Sequence, residues 1–267
     1  NALSPSRLPF ASRSIFWAID YELVKAIVNH PDLKAKGQSY DYSKPLIDHS
    51  VLIAAGHDWK RMRKQTAKAF SSTIMKSTHD ASIRILHDQV FPYFDQKQHN
   101  INKPYVDVVD LVGRFTLDVL GIVSFSYDYG GISELVSSDC YNSNRKKHQC
   151  KCDNKNEKLV HQLFSEITED IQTCDRYRGL YTPKRMNKNV SDLNNVIDSV
   201  IDKKIQQQEC NINNNNSNCN RDLMDYLLEK NPNDGTPILT REEVVGNTKV
   251  FAFAGHDTTR TTIAAMF

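Results

Sequence analysis

Apolar residues recur along most of this chain at helical spacing, and only one short run breaks the rule. That run, Ile15-Phe16-Trp17-Ala18-Ile19, reads as a strand, after which Asp20 is placed to cap a helix carrying Leu23, Val24, Ile27 and Val28 as far as Pro31. Further helices follow from the steps of three and four. One spans Asp80 to Phe94, with Ile83, Leu86, Val90 and Phe94 on one side, and another spans Asp107 to Phe125, with Val108, Leu111, Val112, Phe115, Val119, Ile122 and Val123. Phe115, Asp118 and Gly121 read as packing and capping residues. Val160, Leu163, Phe164, Ile167 and Ile171 mark a further helix, and Val190, Leu193, Ile197, Val200, Ile201 and Ile205 a longer one, both with core packing as the reading of their apolar faces. The short RDLMDYLLEK segment is also helical. The pattern predicts a mainly α protein with a small β component.

The last helix has the clearest start. Thr240 with Glu243 forms a capping box, and Leu239 with Val244 a hydrophobic staple. From Arg241 no proline intervenes before Phe267, a run of roughly 40 Å at 1.5 Å per residue. No stop signal follows, so the expectation is of a helix cut in its middle. One face carries Val244, Thr248, Phe251, Gly255, Thr258, Thr262 and Ala265, small and hydroxyl residues that leave room for something other than another helix. Gly255 weakens the helix by about 1 kcal/mol relative to alanine, and the Thr258 hydroxyl can bond back to the Ala254 carbonyl, which together predict a local bulge. The alternative is a true break, with Gly255 as a C-cap and Asp257 or Thr258 capping a second helix. His256, Asp257 and Arg260 exclude a membrane span here. Adjacent helical positions point apart, which disfavours a His256-Asp257 dyad.

A second informative stretch is His57 to Phe70, HDWKRMRKQTAKAF. On a helical wheel Trp59, Arg63, Thr66 and Phe70 share a narrow sector, while Lys60, Arg61, Lys64 and Lys68 occupy the other side. Arg63 is thereby set apart from the basic cluster. It either stacks on Trp59 and reaches outward, or converges with the indole N–H on an anionic ligand, since guanidinium pairs bidentately with carboxylates.

Composition narrows the class further. A chain of 267 residues with a net charge of +2 has enough apolar content for a substantial core, and its interleaved charges give no nucleic-acid footprint. Residues 137–158 turn polar and charged and are expected to form a flexible insertion, as is the asparagine-rich run 211–220. Within the first, His148, Cys150 and Cys152 lack the paired spacing of a zinc site, and no residue is assigned as a metal ligand. Cys140, Cys150, Cys152, Cys174, Cys210 and Cys219 form no disulfide framework, which favours a reducing compartment. No signal peptide or long apolar segment opens the chain, and Asn1 is not an initiator methionine.

Ala254-Gly255-His256-Asp257-Thr258-Thr259 matches, position for position, the oxygen-binding motif of the cytochrome P450 family of haem-thiolate monooxygenases. Four other segments are similar to that family: Trp59-x-x-x-Arg63, the IFWAIDYELVKAIVNHPDLKAKG opening, the VDLVGRFTLDVLGIVSFSYDYG helix with its aromatic-rich turn, and RDLMDYLLEK with the LTREEVVGNTKVFAFAGHDTT run after it. The resemblance implies a partial P450 fold, one N-terminal to central haem-monooxygenase domain over 1–267 that ends within the long oxygen-binding helix. It implies that Trp59 and Arg63 contact a haem propionate, that Ala254 and Gly255 let the helix approach the haem, and that Thr258 and Asp257 serve oxygen binding and proton relay. The helix pair after residue 160 would form a movable roof over the substrate pocket. Its cofactor would be haem b in a full-length parent, fed by NADPH-derived electrons through a reductase. Its partners would be O2 and a small lipophilic organic substrate. Location would be the cytosolic face of the endoplasmic reticulum membrane, through an N-terminal anchor outside this chain.

The family's haem-ligating cysteine lies in a Phe- and Gly-rich loop, and none of the six cysteines here has such surroundings. Two readings follow. One is a fragment, inactive alone, of a monooxygenase that inserts one atom of O2 into an organic substrate. The other is a non-enzymatic truncated helical relative that binds partners or ligands without haem chemistry.

Overall fold

The computed structural model describes residues 3–6, 15–33, 36–98, 105–142, 160–177, 181–213 and 221–267. The chain divides into two compact units, residues 1–40 and 41–267.

In the first unit, strands β1 (Leu3–Ser6) and β2 (Ile15–Ala18) pair antiparallel, Leu3 opposite Ala18 and Ser6 opposite Ile15. Helix α1 (Tyr21–Asn29) starts where Asp20 accepts a hydrogen bond from the Leu23 amide at 3.1 Å. It stops before Pro31, whose ring disfavours a helical conformation for the residue ahead of it. The apolar positions Val24, Ile27 and Val28 form the expected face, yet within this chain all three remain exposed.

The second unit is helical. In order it contains α2 (Lys44–Ile47), α3 (Gly56–Ala67), α4 (Ser72–Ile85), a single π-helical turn (Leu86–Val90), α5 (Phe91–Gln98), α6 (Val108–Phe125), α7 (Gly131–Asn142), α8 (Val160–Arg176), α9 (Lys184–Asn213), α10 (Leu223–Leu227) and α11 (Arg241–Ala264). The start signals act as the residue types dictate. Asp107 accepts from the Asp110 amide at the head of α6, and reciprocal capping boxes open both α10 (Asp222 with Asp225) and α11 (Thr240 with Glu243). Leu239 and Val244, the staple pair, are both buried.

Ile85, Val90, Tyr93, Leu111, Val119 and Ile132 join α4, the π turn, α5, α6 and α7 in one core cluster. Leu163, Phe164 and Ile167 of α8 and Leu193, Ile197 and Ile201 of α9 are buried as the apolar pattern predicts. Asp118, buried inside α6, accepts from the Gly131 and Ile132 amides at 3.0 and 2.9 Å and so caps α7. Burial raises its carboxyl pKa, and those two amides offset the rise only in part. Lys204 of α9 donates to Asp222 and Asp225 at α10 and to Ser126 at the end of α6, a buried node joining three helices.

Helix α11 crosses the unit against α6, α9 and the 44–54 segment. The approach to that segment is very close: a Cβ on Gly246 would lie 2.2 Å from the Asp48 carbonyl oxygen. One residue on, Asn247 Oδ1 accepts from the Val51 amide at 2.9 Å.

Two expectations need correction. Residues 137–142 are not loop but the end of α7, and 211–213 complete α9. Each helix is anchored on its core side, α7 by Ile132, Leu135 and Val136, and carries the polar residues along. The remainder of both polar stretches, with His148, Cys150 and Cys152, lies outside the described residues. Among the described residues no helix is long and apolar enough to cross a membrane.

Candidate functional site

Helix α11 runs unbroken from Arg241 to Ala264, so Gly255 neither ends it nor opens a bulge. The helix stays continuous although its hydroxyls bond back onto it. Thr258 Oγ1 donates to the Ala254 carbonyl at 2.7 Å and Thr262 Oγ1 to the Thr258 carbonyl at 2.9 Å, as the spacing predicts, and the i to i−4 ladder persists beneath them. Ala254, Thr258 and Thr262 form an exposed strip along the C-terminal half of the helix. Gly255 is turned aside from it. A Cβ there would meet both Leu120 methyl carbons of α6 at 3.1 Å, so the small residue serves the α6 contact. At the N-terminal end of the strip the Phe251 ring lies 5.8 Å from that of Phe70, just past the end of α3.

Behind the strip, His256 is buried to 1% exposure between α6 and α8. Its Nδ1 lies 3.1 Å from Thr116 Oγ1, and its Nε2 has no hydrogen-bond partner among the described residues. Burial, then the electrostatic influence of Arg260 and His161, push its pKa down to about 3, so the ring is neutral at ordinary pH. Asp257 sits at the edge. Its Oδ1 accepts from Arg260 Nη2 at 3.0 Å, and Arg260 Nη1 donates to Ser165 Oγ of α8 at 2.9 Å.

On α3, Trp59 is 44% exposed and Arg63 is exposed; neither the indole N–H nor the guanidinium has a polar partner among the described residues. The paired arginine is instead Arg61, which donates to Glu243 Oε2 at 2.7 Å, to the Ile238 carbonyl at 2.9 Å and to Asp58. Glu243 is also the capping-box residue of α11, so one carboxylate fastens α3 to the start of the long helix. Its pKa is lowered, chiefly by Arg61. No hydrogen bond or ion pair joins Trp59 or Arg63 to Asp257 or Thr258 among the described residues; Phe70 against Phe251 is the contact between their two faces. Arg61 and Arg260 were not singled out by pattern. Arg260 had a readable signal, an opposite charge three residues from Asp257. Arg61 had the same signal in Asp58, three residues before it, but its pairing with Glu243, 182 residues away, was not readable.

The fold and strip define a mainly α protein built round one long helix that keeps a small, hydroxyl-bearing face uncovered. The chain belongs to the cytochrome P450 family, whose model matches residues 6–267. It is 25% identical over 270 residues to cytochrome P450 4A6 of Oryctolagus cuniculus, covering 98% of this chain and 49% of that protein. Cytochrome P450 6a8 of Drosophila melanogaster is 22% identical over 278 residues, covering 98% of this chain and 51% of the relative. The crystal structure of a cytochrome P450 (CYP102L1) matches 99% of this chain and 54% of its own, with a TM-score of 0.63 at 14% identity. The chain spans about half the length of the curated relatives it matches.

Proposed function

We propose that the protein carrying this sequence is a haem-dependent monooxygenase, inserting one oxygen atom of O2 into a lipophilic organic substrate with electrons delivered by a reductase. The observation that carries the reading is the uncovered Ala254, Thr258 and Thr262 strip on an unbroken helix. The residues present fit a haem on chemical grounds. A flat apolar macrocycle needs a face without large side chains. Its propionates need cationic or N–H donors not already spent, as Arg63 and Trp59 are.

When bound, the haem supplies the oxygen-activating chemistry. The thiolate such chemistry uses would come from sequence outside this chain, and alone the 267-residue polypeptide would be inactive. The chain's own residues then divide the remaining work. Trp59 and Arg63 hold a propionate. Ala254 keeps the strip shallow, and Gly255 lets α11 seat closely on α6. The Thr258 hydroxyl proton is committed to the Ala254 carbonyl, so its oxygen presents lone pairs and accepts a hydrogen bond from a water or ligand on the strip. Asp257 Oδ2, which no described residue engages, takes and passes protons at the strip's edge. Placement at the endoplasmic reticulum membrane through an N-terminal anchor belongs to the same reading.

A reduced carbon monoxide difference spectrum of the full-length protein tests the haem assignment, and absence of the thiolate-type band refutes it. Thr258→Ala is expected to raise the O2 consumed per product formed with haem content unchanged. Equal coupling in variant and parent removes Thr258 from the proton path.

A further inference from the structure

Asp257 shares its guanidinium partner with a second helix. Arg260 Nη2 donates to Asp257 Oδ1 at 3.0 Å and Arg260 Nη1 to Ser165 Oγ at 2.9 Å, so one planar fork spans an α11 carboxylate and an α8 hydroxyl. The seat of this arginine is built from three helices. Gly113 of α6 gives it room, since a Cβ there would come 3.0 Å from Arg260 Cδ. Ser165 is itself fixed, its hydroxyl also set to donate to the His161 carbonyl at 3.0 Å. His161, one turn earlier on α8, binds Asp110 of α6 through Nε2 at 2.9 Å. His256, buried beside the fork and neutral, places no competing cation against it. An ordinary i,i+3 surface pair would require none of these features, and exposed pairs contribute little by themselves.

We propose that Arg260 is a positioning residue for the reaction, holding Asp257 at the edge of the strip and transmitting to it whether α8 is seated on α11. The inference rests on the reading of Asp257 as the proton-handling group. With α8 seated, Arg260 is anchored at both nitrogens, Asp257 Oδ1 is fixed, and Oδ2 alone is presented. When α8 lifts, the Ser165 bond is lost, the fork is free to turn, and the carboxylate loses its orientation. Lysine carries the same charge without the planar fork, so it restores the pairing of Asp257 but not the two-ended geometry.

The test uses the full-length haem-loaded protein with Arg260→Gln, Arg260→Lys, Ser165→Ala and Asp257→Asn. Haem content and the carbon monoxide spectrum are recorded first, then product formed per O2 consumed, then amide hydrogen exchange across α8. Arg260→Gln is expected to lower product per O2 by about tenfold, the lower end of the scale of one charged hydrogen bond. Arg260→Lys should recover part of that loss. Ser165→Ala should move coupling the same way by about twofold and speed exchange in α8. Coupling at the parent level in Arg260→Gln, with Asp257→Asn uncoupled, overturns the proposal and leaves the role of Asp257 standing. Parent coupling in Asp257→Asn removes the underlying reading and the proposal with it. Should Arg260→Gln fail to hold haem, Arg260→Lys and Ser165→Ala decide: unchanged coupling and unchanged α8 exchange in both overturn the assignment.

Discussion

At the scale of single residues, the position of least apparent interest in the Gly-His-Asp-Thr run is the one most tightly enclosed. His256 had no role in the sequence pattern beyond pointing away from the strip, and it is the buried member of the four. Its pKa near 3, set mainly by burial, makes a pH prediction with a definite sign. Below about pH 6.5 the unfolded chain protonates this imidazole while the folded one does not, so stability falls as pH falls towards 3. One such group removes at most about 1.4 kcal/mol per pH unit in that window. His256→Gln keeps a polar contact for Thr116 and has nothing to protonate. Urea midpoints measured at pH 7.5 and pH 5 should therefore differ less in His256→Gln than in the parent. An identical acid loss in both proteins would mean that His256 is not held neutral in the fold.

At the scale of elements, the connection that matters for the site is the one between α3 and the head of α11. Arg61 and Glu243 are both largely shielded, and Glu243 serves as cap and ion-pair partner together. Arg61→Ala or Glu243→Gln should each cost about 1.5–3 kcal/mol, the range for hydrogen bonds to charged groups, and their double variant should cost less than the sum. Thermal unfolding of the four proteins checks this; strict additivity would show that the two side chains do not interact. The folded pKa of Glu243 is lowered, so its contribution is present above the usual glutamate value of about 4.5 and is lost as pH drops below it. The helices themselves were legible in sequence because their signals are local. Asp20, Asp107 and Thr240 announce three of them, and α11 was readable from its capping box onward. What was not legible is long-range. The 44–54 segment, with Gly246 pressed on the Asp48 carbonyl, and the choice of Arg61 over Arg63 as the paired arginine depend on partners distant in the chain. The Gly255 bulge failed for a related reason: Leu120 packs where the missing side chain would be, and holds the helix straight.

At the scale of the whole molecule, the chain covers about half the length of its P450 relatives and leaves several large apolar side chains in the open. Tyr21, Val24, Ile27 and Val28 of the first unit are exposed, as are Trp59, Phe70, Met266 and Phe267 of the second. Scattered exposed apolar residues are ordinary on a soluble surface, but aromatic and aliphatic side chains in this number, several on one face of an amphipathic helix, favour association. The 267-residue polypeptide produced alone should bind a hydrophobic dye and self-associate as its concentration rises through the micromolar range. Sedimentation velocity across that range, with dye fluorescence measured in parallel, provides the check. The Phe70 and Phe251 pair gives a local control, because it lies beside the strip proposed to face a haem. Phe70→Ser should reduce dye binding by the polypeptide, while in the full-length haem-loaded protein the same change should weaken haem retention. A monomer without dye enhancement at every concentration would show that these faces need no further cover, and would count against the strip as the seat of a macrocycle.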